Sequence, residues 1–361
     1  MAKSVQEILG AAHMMEVIND VQRGIPRVLP DSFFKVTDRV TGDKARYFKT
    51  RGARESARQS EYGSPSRRVT QKDMAEVGIT LIHSFENQAL NPLTLQAIQS
   101  PASDAFQEIA IAEVDRQTVE FGQRFSNLRV SCALSALFKG AIWFDSNGNQ
   151  QNSSSSAYLT IDFGTQANNE NQANGIIDTT WASNTADIIG DLTALKKTQR
   201  QNGRPPLRHA FYGANISEYI ASNTAAAALI AGSPRLAEQF YTTGEIPNGF
   251  CGLEWHPAYE AYLMDSSDAV ASLIGDDALI LTPEPNGSWW KFIEGSYMVP
   301  RSVGTIYADA VAAMNDVDLV YGTFAYGRVS HDPVTVQQYA GDTFMPVLAD
   351  PNAVFVLDVT P

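Results

Sequence analysis

The hydrophobic positions near the start of the chain recur at helical spacing and predict an amphipathic helix from Val5 to Val21. The apolar side chains fall three and four residues apart, at Val5, Ile8, Leu9, Ala12, Met15 and Ile18. Gly24 and Pro26 end the helix, because glycine closes helices and proline cannot continue them. The pattern leaves two placements open: the helix folds back onto its own domain, or it lies as an arm on a neighbouring molecule.

Two runs of β-favouring residues, on either side of a long polar stretch, predict an extended hairpin between about Asp43 and Glu86. Arg46–Thr50 leads out and Val77–Ile82 leads back. Residues 51–68 between them are polar, contain glycine and proline, and have almost nothing to bury. Connections of this length are uncommon inside compact domains and are typical of binding loops.

The strongest helical pattern predicts one long helix over residues 101–139. Ser100 is a good cap, Pro101 suits the first helical position, and Gly140 suits the end. The side chains expected to pack from this helix are Ile111, Val114, Phe121, Phe125, Leu128 and Cys132. Such a helix is roughly 57 Å long, which indicates a structural spine.

Beyond the spine, short strands alternate with helices, so the chain as a whole is predicted to be α+β. A second hairpin is predicted over residues 141–163, with strands at Ala141–Phe144 and Tyr158–Phe163. The helices predicted after Trp181 are Thr185–Gln199 and Ile216–Ile230. The strands predicted after Trp181 are Leu207–Tyr212, Leu253–Trp255, Tyr262–Met264, Ala278–Leu281, Leu319–Arg328, Val334–Tyr339, Met345–Leu348 and Val354–Val359.

Charge is divided unevenly along the 361 residues, whose net charge is −13. Residues 1–72 hold 14 basic and 8 acidic side chains, whereas residues 73–361 hold 13 and 32. Blocks of like charge are usually solvated tails or docking arms. A basic arm that docks on the acidic part of another copy of the same chain would account for both the basic and the acidic segment. DNA binding by the arm is the alternative, which the acidic character of the whole chain disfavours.

The sequence lacks the motifs of common enzymes. It contains no phosphate-binding loop, no dinucleotide fingerprint and no nucleophile elbow. The five histidines are scattered, and His256 is interpreted as a packing or loop residue. Three acidic doublets between Asp265 and Asp318 are interpreted as solvated surface in preference to cation ligands. We therefore expect no catalytic residue, no metal site and no cofactor.

Location is constrained by the apolar runs and the cysteines. No apolar run approaches the roughly 20 residues that cross a bilayer, and the first residues lack the apolar core of a secretory signal. The two cysteines, Cys132 and Cys251, are too few for a disulfide framework. We therefore expect folding in a reducing cytoplasm and no membrane partner.

Three local strings, in this order, carry a resemblance to a known family. They are Ala136–Gly140 followed by Leu159–Gly164, Trp181 at the start of the middle segment, and Met345–Val356 near the end. Together with the element order, they resemble the major capsid proteins of tailed bacteriophages. The resemblance is to the Hong Kong 97 type and its lambda-like branch, major capsid protein E, and it covers most of the chain.

The resemblance implies a shell subunit. By it, residues 1–42 are an N-terminal arm, 43–86 an extended loop, 87–180 a peripheral domain with the spine, 181–320 an axial domain, and 321–361 returning peripheral strands. Such subunits form hexamers and pentamers of an icosahedral shell in the virion, around double-stranded DNA that they do not bind sequence-specifically. The implied partners besides other copies are portal and scaffold proteins and, in some relatives, a decoration protein. Assembly is expected in the cytoplasm of the host bacterium.

In such shells the extended loop lies across a neighbouring subunit. The side chains expected to contact that neighbour are Arg46, Lys49, Arg51, Arg54, Arg58, Arg67, Arg68 and Lys72. Some relatives crosslink a loop lysine to an asparagine of the neighbour, but no local signal at Lys49 or Lys72 supports this bond, and we expect none. Two alternatives stay open: another virion component such as a connector or tail protein, and an α/β enzyme with its site in residues 181–320.

Overall fold

The computed structural model has an α+β architecture. It describes residues 11–24, 28–49, 75–90, 104–151, 154–164, 180–259, 261–263, 270–272, 274–300, 317–331 and 334–360. The α-helices of this part of the chain are α1 (Ala11–Gly24), α2 (Asp104–Lys139), α3 (Ile188–Gln201), α4 (Ile216–Ser222), α5 (Thr224–Ala231) and α6 (Pro234–Thr243). None of these described helices is long and apolar enough to span a membrane.

The strands pair into five sheets within the described residues. In chain order they are β1 (Val36–Val40), β2 (Lys44–Lys49), β3 (Ala75–Thr80), β4 (Ile82–Ala89), β5 (Ala141–Phe144), β6 (Gln150–Gln151), β7 (Leu159–Asp162), β8 (Leu207–Tyr212), β9 (Glu254–Pro257), β10 (Ala261–Leu263), β11 (Val270–Ser272), β12 (Ala278–Pro283), β13 (Trp290–Pro300), β14 (Val317–Tyr321), β15 (Thr323–His331), β16 (Val334–Leu348) and β17 (Phe355–Asp358).

The largest sheet has six strands, and α2 packs against it. Its order is β1–β13–β16–β15, with β4 also paired to β16 and β14 paired to β13. The predicted strands Val334–Tyr339 and Met345–Leu348 are one strand, β16, because the residues between them continue the ladder: Gly341 pairs with Phe85 on one side and Phe324 on the other. Sequence reasoning also missed β4, which follows β3 after a single residue, Leu81.

The predicted spine is present as α2, 36 residues long from Asp104 to Lys139. Its first part is buried on one side only, whereas every residue from Arg129 to Leu137 is buried. Serine hydroxyls in this buried stretch are satisfied locally: Ser131 donates to Gln150 Oε1 at 2.5 Å and Ser135 donates to the carbonyl of Ala141 at 2.8 Å. The buried half of α2 is therefore part of the main core.

A buried ion pair joins α2 to the six-stranded sheet. Arg129 donates from Nε and Nη2 to the two carboxylate oxygens of Asp342 on β16, both at 2.6 Å, and from Nη2 to Thr323 Oγ1 at 3.0 Å. The rings of Phe292 and Phe344 lie 5.4 and 5.5 Å from the guanidinium carbon. Burial lowers the pKa of Arg129, but the charge and hydrogen bonds of Asp342 outweigh it, so the pKa is raised and the side chain stays charged.

The first described helix, α1, folds back onto its own chain. Met14 and Ile18 are buried against Phe121 and Phe125 of α2, and the helix also contacts β15. Of the two placements that the sequence left open, this is the first. The helix ends at Gly24, as predicted, and the predicted residues before Ala11 lie outside the described part of the chain.

Both predicted hairpins are present. β2 and β3 pair antiparallel, with Arg46 opposite Gly78 and Tyr47 opposite Val77. β5 pairs with β7, and β6 lies on its other side. Gly140 has a φ of +65°, a conformation that glycine adopts without strain, and it turns the chain from α2 directly into β5.

The middle of the chain builds a second core around a four-stranded sheet, β17–β12–β8–β9, in which only the β8–β9 pair is parallel among the described strands. The predicted helix Ile216–Ile230 is two helices, α4 and α5, because Asn223 interrupts it. Asn223 Oδ1 accepts from the N–H of Ala226 at 2.9 Å and caps α5, while Nδ2 donates to the carbonyl of Ala186 at 2.8 Å. Helix α6 was not predicted.

Candidate assembly surfaces

The ribbon formed by β2 and β3 has a buried face and an exposed face. Ala45, Tyr47 and Ile79 are buried in the main core. Lys44 and Arg46 alternate with them along β2 and are exposed, since successive side chains of a strand point to opposite faces. The ribbon is thus anchored on one side and presents cations on the other.

Tyr47 anchors the ribbon by its ring. It is 1% exposed, and its hydroxyl has no hydrogen-bond partner among the described residues. Burial, together with the charge of Asp162, raises the pKa of Tyr47 to about 12. The phenol is therefore neutral at physiological pH, and apolar contact holds it in place.

Of the other predicted loop cations, only the backbone of Lys49, at the end of β2, is described. Arg51, Arg54, Arg58, Arg67, Arg68 and Lys72 lie outside the described residues. Arg39, just before the ribbon, is used within its own chain: its Nε lies 3.5 Å from Glu294, and its guanidinium lies over the ring of Tyr321 at 5.6 Å.

Four of the six predicted spine side chains contribute to two clusters. Phe121 and Phe125 pack with α1, whereas Cys132 and the half-buried Leu128 pack with the main core that holds Tyr47. Val114 is buried and Ile111 is half-buried. Burial raises the pKa of the Cys132 thiol, which makes this cysteine an unreactive packing residue.

A second surface, which sequence reasoning missed, is a row of stacked aromatic rings on the sheet face opposite α2. This aromatic row consists of Phe85, Tyr297, Phe324, Tyr326 and Tyr339. The ring centroid of Phe85 lies 5.6 to 6.0 Å from the centroids of Tyr297, Phe324 and Tyr339. Tyr297 stacks on Phe324 with a centroid distance of 4.1 Å. Phe85 is nevertheless 50% exposed.

The face opposite the aromatic row is the one that α2 and α1 cover. Ala325 and Ala340, adjacent in sequence to row members, are buried against α1 and Phe121, and Glu86 lies 3.1 Å from Arg124 of α2. A signal for the row was present in the sequence: Phe85 stands among polar residues in a strand-like run. Only the pairing of β4 with β16 reveals that four other rings join it.

Several solved structures resemble this chain. They include a putative capsid protein of a prophage from E. coli CFT073, with 14% identity, a TM-score of 0.48 and 79% of each chain covered. A phage-related protein from Bordetella bronchiseptica RB50 has 9% identity and a TM-score of 0.46, with 95% of this chain and 96% of that chain covered. The procapsid of satellite phage P4 with its size determination protein has 12% identity and a TM-score of 0.44, with 96% and 98% covered.

A search of the curated proteins gives no significant match. Residues 10–315, most of the chain, match the family model of phage major capsid protein E. The chain therefore belongs to the phage major capsid protein E family, and it is a structural protein that forms the virion shell and not an enzyme.

Proposed function

We propose that this chain forms hexamers and pentamers of an icosahedral shell around double-stranded phage DNA, with the subunit organisation of the Hong Kong 97 type. The observation that carries the proposal is the β2–β3 ribbon, anchored by Tyr47 on one face and cationic on the other, which leads into the basic residues 50–74. A connection of this length, held at both ends by paired strands, suits a segment that reaches a neighbouring subunit.

The roles of the segments follow from this organisation. Residues 1–42 form the N-terminal arm, whose described helix α1 packs on its own chain, and 43–86 form the extended loop. Residues 87–180 and 321–361 form the peripheral domain, and 181–320 the axial domain around capsomer centres. Two clusters of buried side chains support a division into two parts. The parts exchange strands across these bounds, since β13 belongs to the six-stranded sheet and β17 to the four-stranded sheet.

The extended loop docks by charge. Arg46, Lys49, Arg51, Arg54, Arg58, Arg67, Arg68 and Lys72 contact acidic patches of adjacent subunits, because residues 73–361 carry an excess of 19 acidic side chains. Each contact is weak and weakens further as salt rises. A subunit with many neighbours adds these contacts together through multivalency.

The partners beyond other copies are portal and scaffold proteins, and a decoration protein where one is present. The DNA inside is enclosed without sequence-specific contacts, and assembly takes place in the cytoplasm of the host bacterium. The acidic excess of the chain supports non-adhesive enclosure of DNA, since like charges repel.

Electron microscopy of the purified full-length protein, together with size-exclusion chromatography, tests the proposal. We expect closed icosahedral particles of megadalton size with sixfold and fivefold capsomers. Rings or tubes in place of closed shells would contradict the proposal and favour a connector or tail component.

Reversing two loop charges tests the docking step. We expect Arg67→Glu with Arg68→Glu to lower the yield of assembled particles several-fold at low salt, since attraction becomes repulsion. The matched control is Lys197→Glu with Arg235→Glu, which makes the same net change at exposed positions of α3 and α6. Equal yields from the loop variant and the unmodified chain at low salt would refute charge docking by these residues.

A further inference from the structure

Two histidines that are 47 residues apart in sequence meet at one edge of the four-stranded sheet. His209 on β8 pairs with Glu254 on the edge strand β9, and Phe211 pairs with His256. Residues two apart on a strand point to the same face. Parallel pairing therefore brings His209, Glu254 and His256 together, and Glu284, just after β12 on the other side of β8, completes the group.

The three side chains on β8 and β9 have the geometry of a metal site. His209 Nδ1 lies 3.2 Å from His256 Nε2 and 3.3 Å from Glu254 Oε2, and the three ligand atoms lie within 4.8 Å of one another. In a tetrahedral zinc site with bonds of about 2.0 to 2.1 Å, ligand atoms are about 3.3 Å apart. The separations around His209 Nδ1 match that spacing.

The hydrogen bond on the far side of His209 orients this ring for metal binding. Its Nε2 lies 3.0 Å from Glu284 Oε2, and because a carboxylate only accepts, Nε2 carries the proton. In the neutral ring, Nδ1 then presents a lone pair towards Glu254 Oε2, which is also an acceptor. His256 Nε2 lies 3.2 Å from the same Nδ1, so a metal ion placed there would be shared by both rings and Glu254, and a carboxylate behind a histidine is the usual support of a metal-binding imidazole.

The surroundings hold the rings in place and favour a cation. Phe33 packs edge-on against His209 at 5.7 Å, and Phe211 stacks on His256 at 5.2 Å. Arg208 donates to Glu254 Oε1 at 2.8 and 3.0 Å, which leaves Oε2 facing His209, and its Nε lies 3.2 Å from Glu284. With neutral imidazoles, the two carboxylates and one guanidinium give the group a net charge of −1.

We propose that His209 Nδ1, His256 Nε2 and Glu254 Oε2 bind a divalent transition-metal ion, with Zn²⁺ the best fit to two imidazoles and a carboxylate. The ion clamps the edge strand β9 to β8, and a fourth position is open to water because Glu254 and Glu284 are 40% and 46% exposed. This site goes beyond shell formation and does not depend on the loop docking proposed above.

Isothermal titration of the EDTA-stripped full-length protein with Zn²⁺ tests the site. We expect one ion per chain, at least tenfold weaker binding in His256→Gln and in Glu254→Gln, and about tenfold weaker binding in Glu284→Gln, which removes only the supporting carboxylate. His256 and Glu254 are partly exposed, so substitutions at these two positions are expected to leave the fold intact. His83→Gln, an exposed histidine on β4, is the matched control and should bind as the unmodified chain does.

Cobalt provides a readout of coordination. Co²⁺ added to the stripped protein should give the intense visible absorption of a four-coordinate site with nitrogen and oxygen ligands, lost in His256→Gln and retained in His83→Gln. Absence of a stoichiometric Zn²⁺ site, or equal affinity in His256→Gln and His83→Gln, would overturn the proposal.

Discussion

Single side chains hold the spine and the ribbon on the main core in two different ways. Arg129 holds α2 through charge, with both oxygens of Asp342 occupied and two aromatic rings beside the guanidinium. Tyr47 holds the ribbon through shape, since its buried hydroxyl has no partner in the described part of the chain. Removing the charge of Arg129 should therefore lower the stability of the subunit, whereas removing the hydroxyl of Tyr47 should not.

Arg129→Met should destabilise the subunit by about 3 to 5 kcal/mol, because it leaves the carboxylate of Asp342, which is 0% exposed, as an uncompensated buried charge. The double variant Arg129→Met with Asp342→Leu should recover most of that loss. Urea unfolding of unassembled subunits measures both. Arg116→Met is the control on the same helix: its pair with Glu113 is on the surface and screened by water, so the substitution should change stability little. A double variant as unstable as the single one would show that buried charge is not the cause.

Tyr47→Phe should leave stability at pH 7 unchanged or raise it by about 1 kcal/mol, because it removes a buried hydroxyl without a partner. Above pH 10 the stabilities of the unmodified chain and of Tyr47→Phe should diverge. The folded-state pKa of Tyr47, about 12, lies above the ordinary value of 10.0, so ionisation of this phenol opposes folding. The free energy of unfolding is therefore unaffected by Tyr47 ionisation below pH 10 and falls as the pH rises from 10 to 12.

Unfolding free energies measured from pH 7 to 12 should therefore fall more steeply for the unmodified chain than for Tyr47→Phe. The variant Tyr47→Ala, which removes the ring, should be about 3 to 5 kcal/mol less stable than Tyr47→Phe at all pH values, because neither variant has a phenol that titrates. Parallel alkaline curves for the tyrosine and phenylalanine chains would contradict the assigned burial.

At the scale of elements, β16 is the strand on which the main sheet depends. It pairs with β13, β15 and β4 along its 15 residues. At Gly341 the neighbouring strands on both sides of β16 leave no room for a side chain: a Cβ there would lie 2.3 Å from Phe324 Cζ and 2.8 Å from the carbonyl oxygen of Ser84. The strand tolerates this crowding because glycine has no side chain.

Gly341→Ala should destabilise the subunit by about 1 to 3 kcal/mol, because the added methyl group meets a ring and a backbone atom that cannot both move away. Gly78→Ala on β3 is the matched control, since nothing lies within 4 Å of a Cβ at that strand position. The control should be neutral or slightly stabilising. Chemical denaturation of the two purified variants provides the comparison, and equal midpoints would contradict the crowding at Gly341.

At the scale of the whole molecule, the two faces of the main sheet differ. One is covered by α1 and α2, and the other carries the aromatic row with Phe85 half exposed. A shell protein has to bury part of its surface against other copies, and exposed aromatic rings are common anchors of such contacts. We expect another copy of the chain to cover the row.

Phe85→Asp should reduce particle assembly at least tenfold while leaving the far-ultraviolet circular dichroism of the subunit unchanged, because a charge at the centre of a contact is costly to desolvate. Phe85→Tyr keeps the ring and should assemble close to normally. Sedimentation of assembly reactions measures both. Normal assembly of Phe85→Asp would place the row away from subunit contacts.

Mature particles should contain no covalent links between subunits. Lys49 and Lys72 flank the loop, but no sequence signal around either supports an isopeptide bond with an asparagine of a neighbour. Denaturing electrophoresis of purified particles should therefore show this chain only as a monomer, without bands at multiples of its mass. A ladder of multiples would refute this expectation.

Prediction from the sequence succeeded where a pattern is local. The periodicity of apolar residues and Gly140 at the end were enough for α2, and β-favouring runs were enough for both hairpins. The predicted start at Pro101 lies outside the described residues. It failed where one residue changed the outcome through distant contacts. Asn223 divides one predicted helix into two: it caps α5 through Ala226 and also bonds the carbonyl of Ala186, which lies 37 residues away.

The sequence by itself determined the α+β class, the spine, the β2–β3 hairpin and the separation of charge, because these depend on composition and on intervals of two to four residues. The family followed from a resemblance carried by local strings and their order along the chain. The tertiary structure decided the partners of side chains: Asp342 for Arg129, four rings for Phe85, and His256 with Glu254 for His209. Each of these contacts joins strands or helices that are far apart in sequence. The physical reason is that strand pairing sets which residues meet, and pairing is a property of the folded chain that no local pattern contains.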